Sequence, residues 1–232
     1  LGAAVVFFFV VEPRPQFQRT MLGFAAGVMT AASVWSLLLP AIEQSADFGV
    51  PGWLPAAAGL LLGVGFLSAL DAVLPHLRRA KDLDPTRRQS TLLMAAITLH
   101  NVPEGMAVGL AFALAAEGDG MAGAAALALG IGIQNLPEGA AISLPLRQEG
   151  SSRGRAFLLG TLSGSVEPIF GILVVLVAAG VRPLMPWLLS FAAGAMLYVV
   201  VEELVPQAHS KAGTCGFVGG FLIMMVLDVA LG

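Results

Sequence analysis

The sequence predicts an all-α, polytopic membrane protein with eight transmembrane helices. Three observations predict it: an apolar composition, charges gathered between long apolar stretches, and a one-sided distribution of Lys and Arg. Of 232 residues, 57% are hydrophobic and 12% charged, about half the charge of a typical soluble domain. Each long stretch approaches the roughly 20 apolar residues needed to cross a bilayer. The 28 Gly suit helices packed backbone against backbone. A soluble helical bundle is the competing architecture, and this composition disfavours it.

The first residues, Leu1 to Val11, read as the end of a first helix whose beginning is not in the sequence. They lack the basic flank of a signal peptide. Further spans are expected at Thr20 to Ile42, Trp53 to Leu77, Thr91 to Ala116, Met121 to Leu146, Arg155 to Ala179, Leu184 to Gln207 and Gly213 to Leu231. The connections are short, so residues 1–232 form a single transmembrane domain. Pro51, Pro55, Pro85, Pro183 and Pro186 fall near span edges, where a missing N–H is tolerated.

With this span count, Arg14, Arg19, Arg78, Arg79, Lys81, Arg87, Arg88, Arg147, Arg153, Arg155 and Lys211 share one side, against Arg182 on the other. That bias puts the basic loops in the cytoplasm and both termini outside. The basic loop from Arg78 to Gln89 has no interleaved aromatics, so it reads as a solvated loop rather than a nucleic-acid patch. A single cysteine, Cys215, excludes an intrachain disulfide and a cysteine-based metal cluster, and three His exclude a His-rich storage tail.

The informative passage is His100-Asn101-Val102-Pro103-Glu104-Gly105, which recurs as Gln134-Asn135-Leu136-Pro137-Glu138-Gly139. Both lie inside apolar spans, where a carboxylate is costly unless it has a partner or a task. His100 and Glu104, four apart, share one helix face, as do Gln134 and Glu138. Each proline leaves a carbonyl, of Leu99 and of Ile133, without its helical donor, a state tolerated in a membrane only beside a cavity, water or an ion. A third buried carboxylate, Glu167, precedes Pro168. Imidazole and carboxylate suit zinc, and equally iron, manganese or cadmium. His100, Glu104 and Glu138 lead this ligand set, with Gln134 and Glu167 behind them. Asn101 and Asn135 could offer amide oxygens to an adjacent metal position or simply hydrogen-bond between helices.

Met29, Ser33, Ser36 and Glu43 follow one another along the second span as a route for the ion, with Met29 as a soft thioether ligand or a gap-filler. Glu43 could gather cations at the outer edge. Glu202 and Glu203, before Pro206 and His209, mark a release region; Asp71 and His76 lie near the inner edge of the third span, and Asp228 near the outer end of the last.

These passages resemble the ZIP family of divalent metal transporters, in particular its compact bacterial members. The resemblance spans Gly23-Phe24-Ala25-Ala26-Gly27-Val28-Met29, both Asn-x-Pro-Glu-Gly passages, Glu167-Pro168, and Ala193-Gly194-Ala195-Met196 followed by Glu202-Glu203. It implies eight helices in an inverted 3+2+3 arrangement and uptake toward the cytoplasm of the bacterial inner membrane through a binuclear site. His100, Glu104, Gln134 and Glu138 match its primary ligands; Met29, Asn101, Asn135 and Glu167 match secondary ones. Glu43 matches an entrance acid and Glu203 an exit ligand. Many relatives carry Asp where this chain has Asn135.

The expectation is therefore a transporter and not an enzyme, with no resident cofactor, the metal being cargo, and with the lipid bilayer as its environment; a homodimer is among the assemblies open to it. A metal-selective channel built from the same residues is the nearest alternative. An intramembrane metalloprotease would need the second His of His-Glu-x-x-His, which is missing here. No glycine-rich nucleotide loop is present, which argues against ATP-driven pumping.

Overall fold

The computed structural model describes residues 2–4, 15–77, 85–116, 118, 120–148, 150–178 and 182–231. Most of the proposed first helix, the basic loop at 78–84, and Glu117 and Asp119 lie outside them. So do the side chains of Asp71, His76, His100, Gln134 and Glu138, although their backbones are helical.

The described residues are helical throughout their regular structure. After a short 3-10 turn at Gly2–Ala4 come α1 (Pro15–Phe48), α2 (Trp53–Leu77), α3 (Pro85–Ala115), α4 (Met121–Gln148), α5 (Arg153–Gly164), α6 (Val166–Ala178), α7 (Met185–Ala208) and α8 (Lys211–Leu231). Among the described residues, five helical stretches are long and apolar enough to cross a membrane: α1, Trp53–Leu70 of α2, Arg153–Val177 through α5 and α6, α7, and Lys211–Ala230 of α8. Among the described residues, α3 and α4 contribute the shorter apolar stretches Asn101–Ala115 and Met121–Ile133.

Composition also decides which helices are central. The apolar windows of α1 and α7 are each 56% buried, against 22%, 17% and 28% for α2, α5–α6 and α8. Those outer helices turn Leu61, Leu62, Leu176 and Val226 outward, a surface that only lipid or another apolar partner can cover. Met29, Leu37, Leu110, Leu127, Met196 and Met224 fill the core between α1, α7, α3, α4 and α8.

Three helix pairs meet with their backbones in contact. A Cβ at Gly23 or Gly27 of α1 would strike the carbonyl of Gly213 or Phe217 on α8, and one at Gly216 or Gly220 would strike Thr20 or Phe24 in return. Gly59 and Gly63 of α2 sit in the same way on Trp187 and Phe191 of α7, and Gly194 sits on Leu60. Gly105 and Gly109 of α3 lie on Glu167 and Gly171 of α6. Small residues replace the missing hydrophobic drive for helix association in lipid by allowing this approach.

Two expectations need correction in detail. The second span extends well beyond Thr20 to Ile42, and the sixth span is broken at Ser165. There the Ser165 N–H bonds the carbonyls of Thr161 and Leu162, closing α5, and Pro168 lacks the N–H that would continue the ladder. The α1–α2 connection is short because Gly49 adopts a left-handed conformation (φ 66°) and Val50 N–H caps the Ser45 carbonyl at 3.1 Å.

The structure also reveals two wide helical turns. Residues Ser33–Leu38 of α1 and Val200–Leu204 of α7 are π-helical. They follow matching sequences, Phe24-Ala-Ala-Gly-Val-Met29 and Phe191-Ala-Ala-Gly-Ala-Met196, at the same interval. Such turns tend to mark functional regions of helices.

Candidate metal centre

The centre is built from the seam of α3 with α6. Gly105 follows Glu104, and because it has no side chain, the backbone of Glu167 comes to rest on it. The Asn-x-Pro-Glu-Gly order thus does two tasks: Glu104 supplies a carboxylate, 1% exposed, and the next residue admits the helix that carries another. Glu167 lies in the first turn of α6, where unpaired N–H groups and the helix dipole attract negative charge. The break at Ser165 precedes this helix end, where Glu167 is half-buried between α3 and α4. Gly160 of α5 approaches α4 at Ser143 and the Gly139 carbonyl.

The two asparagines are oriented by the protein. Asn101 Nδ2 donates to the Ser163 carbonyl at 3.2 Å, and Thr98 Oγ1 donates to Ser163 Oγ at 3.0 Å. Asn135 Nδ2 donates to Glu167 Oε2, joining α4 to α6. In both, the amide nitrogen is committed while the oxygen is buried with no hydrogen-bond partner. A buried acceptor without a donor is unusual. Two such oxygens on the twin motifs, with the buried Glu104 and the half-buried Glu167 on the same helix seam, suit a hard or borderline cation. Next to them an open, mostly apolar groove of about 470 Å³ runs between α3, α4 and α6, with Gly105, Asn135, Glu167 and Pro168 at one end and the exposed Ile172 and Leu176 at its rim.

Of the expected ligands, Asn135 bonds Glu167, Asn101 bonds the Ser163 carbonyl, and Glu104 is buried one residue before the glycine on which Glu167 rests. The side chains of His100, Gln134 and Glu138 lie outside the described residues; among those described, no group of three His, Cys, Asp or Glu could hold an ion. Met29 is fully buried. Ser33 turns its hydroxyl back to the Met29 carbonyl at 2.8 Å, while Ser36 donates to Asp228 Oδ1 at 2.6 Å across the α1–α8 interface. Glu43 and Glu202 are exposed and Glu203 is half-buried. Thr98 joins the centre without having been singled out by any motif; Ser163, which the sequence sets shortly before Glu167-Pro168 as a packing partner for that carboxylate, instead accepts from Thr98 and Asn101. Asp228 has no evident role from the sequence, and Ser36 supplies its contact.

The apolar helices define an all-α, multi-pass membrane protein. A family model described as ZIP Zinc transporter matches residues 76–228, and the chain belongs to the ZIP family, whose members are transporters and not enzymes. It is 37% identical over 315 residues to Zinc transporter ZIP11 of Xenopus tropicalis, covering 100% of this chain and 93% of the relative. It is 40% identical over 222 residues to Zinc transporter GufA of Myxococcus xanthus, covering 91% and 86%. With Zinc transporter ZIPB of Bordetella bronchiseptica the identity is 41% over 230 residues, covering 93% and 72%.

Proposed function

We propose that this protein carries divalent transition metal ions, zinc foremost and cadmium, iron or manganese as alternatives, across a bacterial inner membrane into the cytoplasm. The observation that carries the reading is the pair of buried, unpartnered amide oxygens of Asn101 and Asn135, held beside Glu104 and Glu167 on a glycine seam inside an apolar bundle. The names of the relatives supply the metal.

In this reading the site is binuclear. His100, Glu104, Gln134 and Glu138 hold the primary ion; Met29, Asn101, Asn135 and Glu167 serve the second, and shared carboxylates offset the repulsion between the two charges. Glu43 collects ions outside, Ser33 and Ser36 line the approach, and Glu202 and Glu203 receive the ion inside. Eight helices in an inverted 3+2+3 arrangement, with both termini outside, accommodate this path, and a homodimer is compatible with the outward apolar faces.

Transport proceeds by alternating access: one bundle shifts against the other around the bound ion. The packing supports such a division. Helices α1 with α8 and α2 with α7 form the glycine-sealed pairs of one bundle, and α3 to α6 form the other. The four interhelical hydrogen bonds described above each lie within a bundle.

The test is uptake of radioactive zinc into sealed proteoliposomes by the full chain and by Glu104→Ala and Glu138→Ala. Saturable uptake that both substitutions abolish is expected. Unchanged uptake in both variants rejects this centre, and a folded parent chain that moves no zinc down a gradient rejects the assignment of zinc.

A further inference from the structure

The glycine seams described above each join helices of one bundle: α1 with α8, α2 with α7, α3 with α6. In each, the missing side chain admits a neighbour's backbone, which cannot swing aside. Gly130 of α4 is different. Among the described glycines at which a Cβ would collide, it is the one whose neighbours belong to the other bundle, Met224 of α8 and Val28 of α1, and both neighbours are side chains. The thioether of Met224 sits where the Gly130 side chain would stand, and a Val28 methyl lies 3.5 Å from the same point. Met224 is 0% exposed and Val28 1%. A methionine tip is flexible and has no hydrogen bond to break, so it can enter and leave such a notch without disturbing either helix.

The notch lies close to the centre. Gly130 is one turn of α4 before Gln134, and Met224 is one turn of α8 before Asp228, the partner of Ser36. Successive helices reverse direction across the bundle, so α4 and α8 run antiparallel. Met224 therefore stands at a level between the Ser36–Asp228 contact and the second Asn-x-Pro-Glu-Gly passage. A slide of α4 by one turn, about 5.4 Å, would carry Gly130 away from Met224 and bring Ala126 or Gln134 to its level, according to direction. Ala126, like Gly130, is small and buried. Packed elements do step past one another by whole turns of this kind.

Resting on the alternating-access reading above, we propose that Met224 seated in the Gly130 notch is the latch that holds the α3–α6 bundle in register against the other bundle, and that transport withdraws it. The four interhelical hydrogen bonds described above fix nothing between the bundles; the interlocking of this side chain with this notch does. Met224 is a positioning residue: it acts through where it sets α4.

Two measurements test the latch, both in a Cys215→Ser background with folding checked by gel filtration in detergent. The first needs no transport. Ala126→Cys puts a thiol at a buried position one turn from the notch, and its rate of labelling by a maleimide in detergent reads how often α4 leaves its register. Met224→Ala should raise that rate by about threefold or more as the closed arrangement loses its hold. Leu189→Ala, a truncation of another fully buried side chain on α7, should leave it as in the parent. An unchanged rate with Met224→Ala, or an equal rise with Leu189→Ala, overturns the proposal.

The second measurement locks the notch. Met224→Cys with Gly130→Cys, and Val28→Cys with Gly130→Cys as an independent pair, are oxidised with diamide, the close approach placing both pairs within reach of a disulfide. Zinc uptake into proteoliposomes should fall by about tenfold or more on oxidation, because the bundles can no longer shift, and return on reduction. The zinc-dependent rise in melting temperature should persist in both forms. A disulfide that leaves uptake unchanged marks a contact that never opens and overturns the latch, as does failure of both pairs to cross-link. If the parent chain and the reduced variants move no zinc, the transport reading fails instead, and the labelling rates stand by themselves.

Discussion

The seam between α3 and α6 and the seam between α1 and α8 are made by the same device, a glycine lying on a neighbour's carbonyl, yet they hold different contents. At α1–α8 the approach brings together Phe24, Phe217 and Phe221 around Gly23, Gly27, Gly216 and Gly220. At α3–α6 it brings Glu167 onto Gly105 beside Glu104. Close packing alone therefore does not mark a site; what marks it is the polar residue that the glycine allows in. The first seam joins a framework, and the second assembles ligands.

Adding one methyl group to each seam separates those roles most strongly. Gly105→Ala should cut zinc uptake by about tenfold or more, since a Cβ there forces the Glu167 backbone away, at a stability cost of about 1–3 kcal/mol. Gly27→Ala should cost about the same in stability while uptake per folded molecule stays near that of the parent. Thermal unfolding and uptake measured on the same preparations decide the matter, and equal losses of uptake in the two variants would erase the distinction.

A smaller effect is expected where charge is added to the ligand seam. Asn135→Asp sets a second carboxylate against Glu167, destabilising the metal-free protein. It should tighten zinc binding by about tenfold, roughly 1.4 kcal/mol. The zinc-dependent rise in melting temperature should then exceed that of the parent chain. A smaller rise would argue that the Asn135 amide is purely a helix-to-helix link.

The framework seam has one polar contact to remove. Ser36→Ala leaves Asp228 without its described donor, which should cost about 1–3 kcal/mol as a buried acceptor goes unsatisfied, visible as a lower melting temperature. Least affected should be Thr98→Val, which removes one hydroxyl contact to Ser163 and costs about 1 kcal/mol. Its signature is a modest rise in the zinc concentration for half-maximal uptake with maximal rate preserved.

The polar motifs of the centre were legible in the sequence because an Asn, a Pro and a Glu inside an apolar span are each costly there unless something binds to them. The membrane class was legible for the same reason in reverse, from the scarcity of charge. The delivery of Glu167 was not: it depends on Gly105 meeting α6, a contact between positions far apart in the chain. Nor was the orientation of the two asparagines, since which end of an amide faces the interior depends on Ser163 for one and Glu167 for the other.

The wide turns at Ser33–Leu38 and Val200–Leu204 bear on how this protein can change. A π-turn holds one residue more than the coil around it, so everything beyond it is rotated by about 100° relative to an unbroken helix. Loss of a single residue inside either turn would leave a longer, more regular helix, yet swing Glu43, beyond the first turn, around to a different compass bearing and re-register Glu202 and Glu203 within the second. A deletion too small to alter the fold could in this way redirect which charges an ion meets at either mouth of the protein.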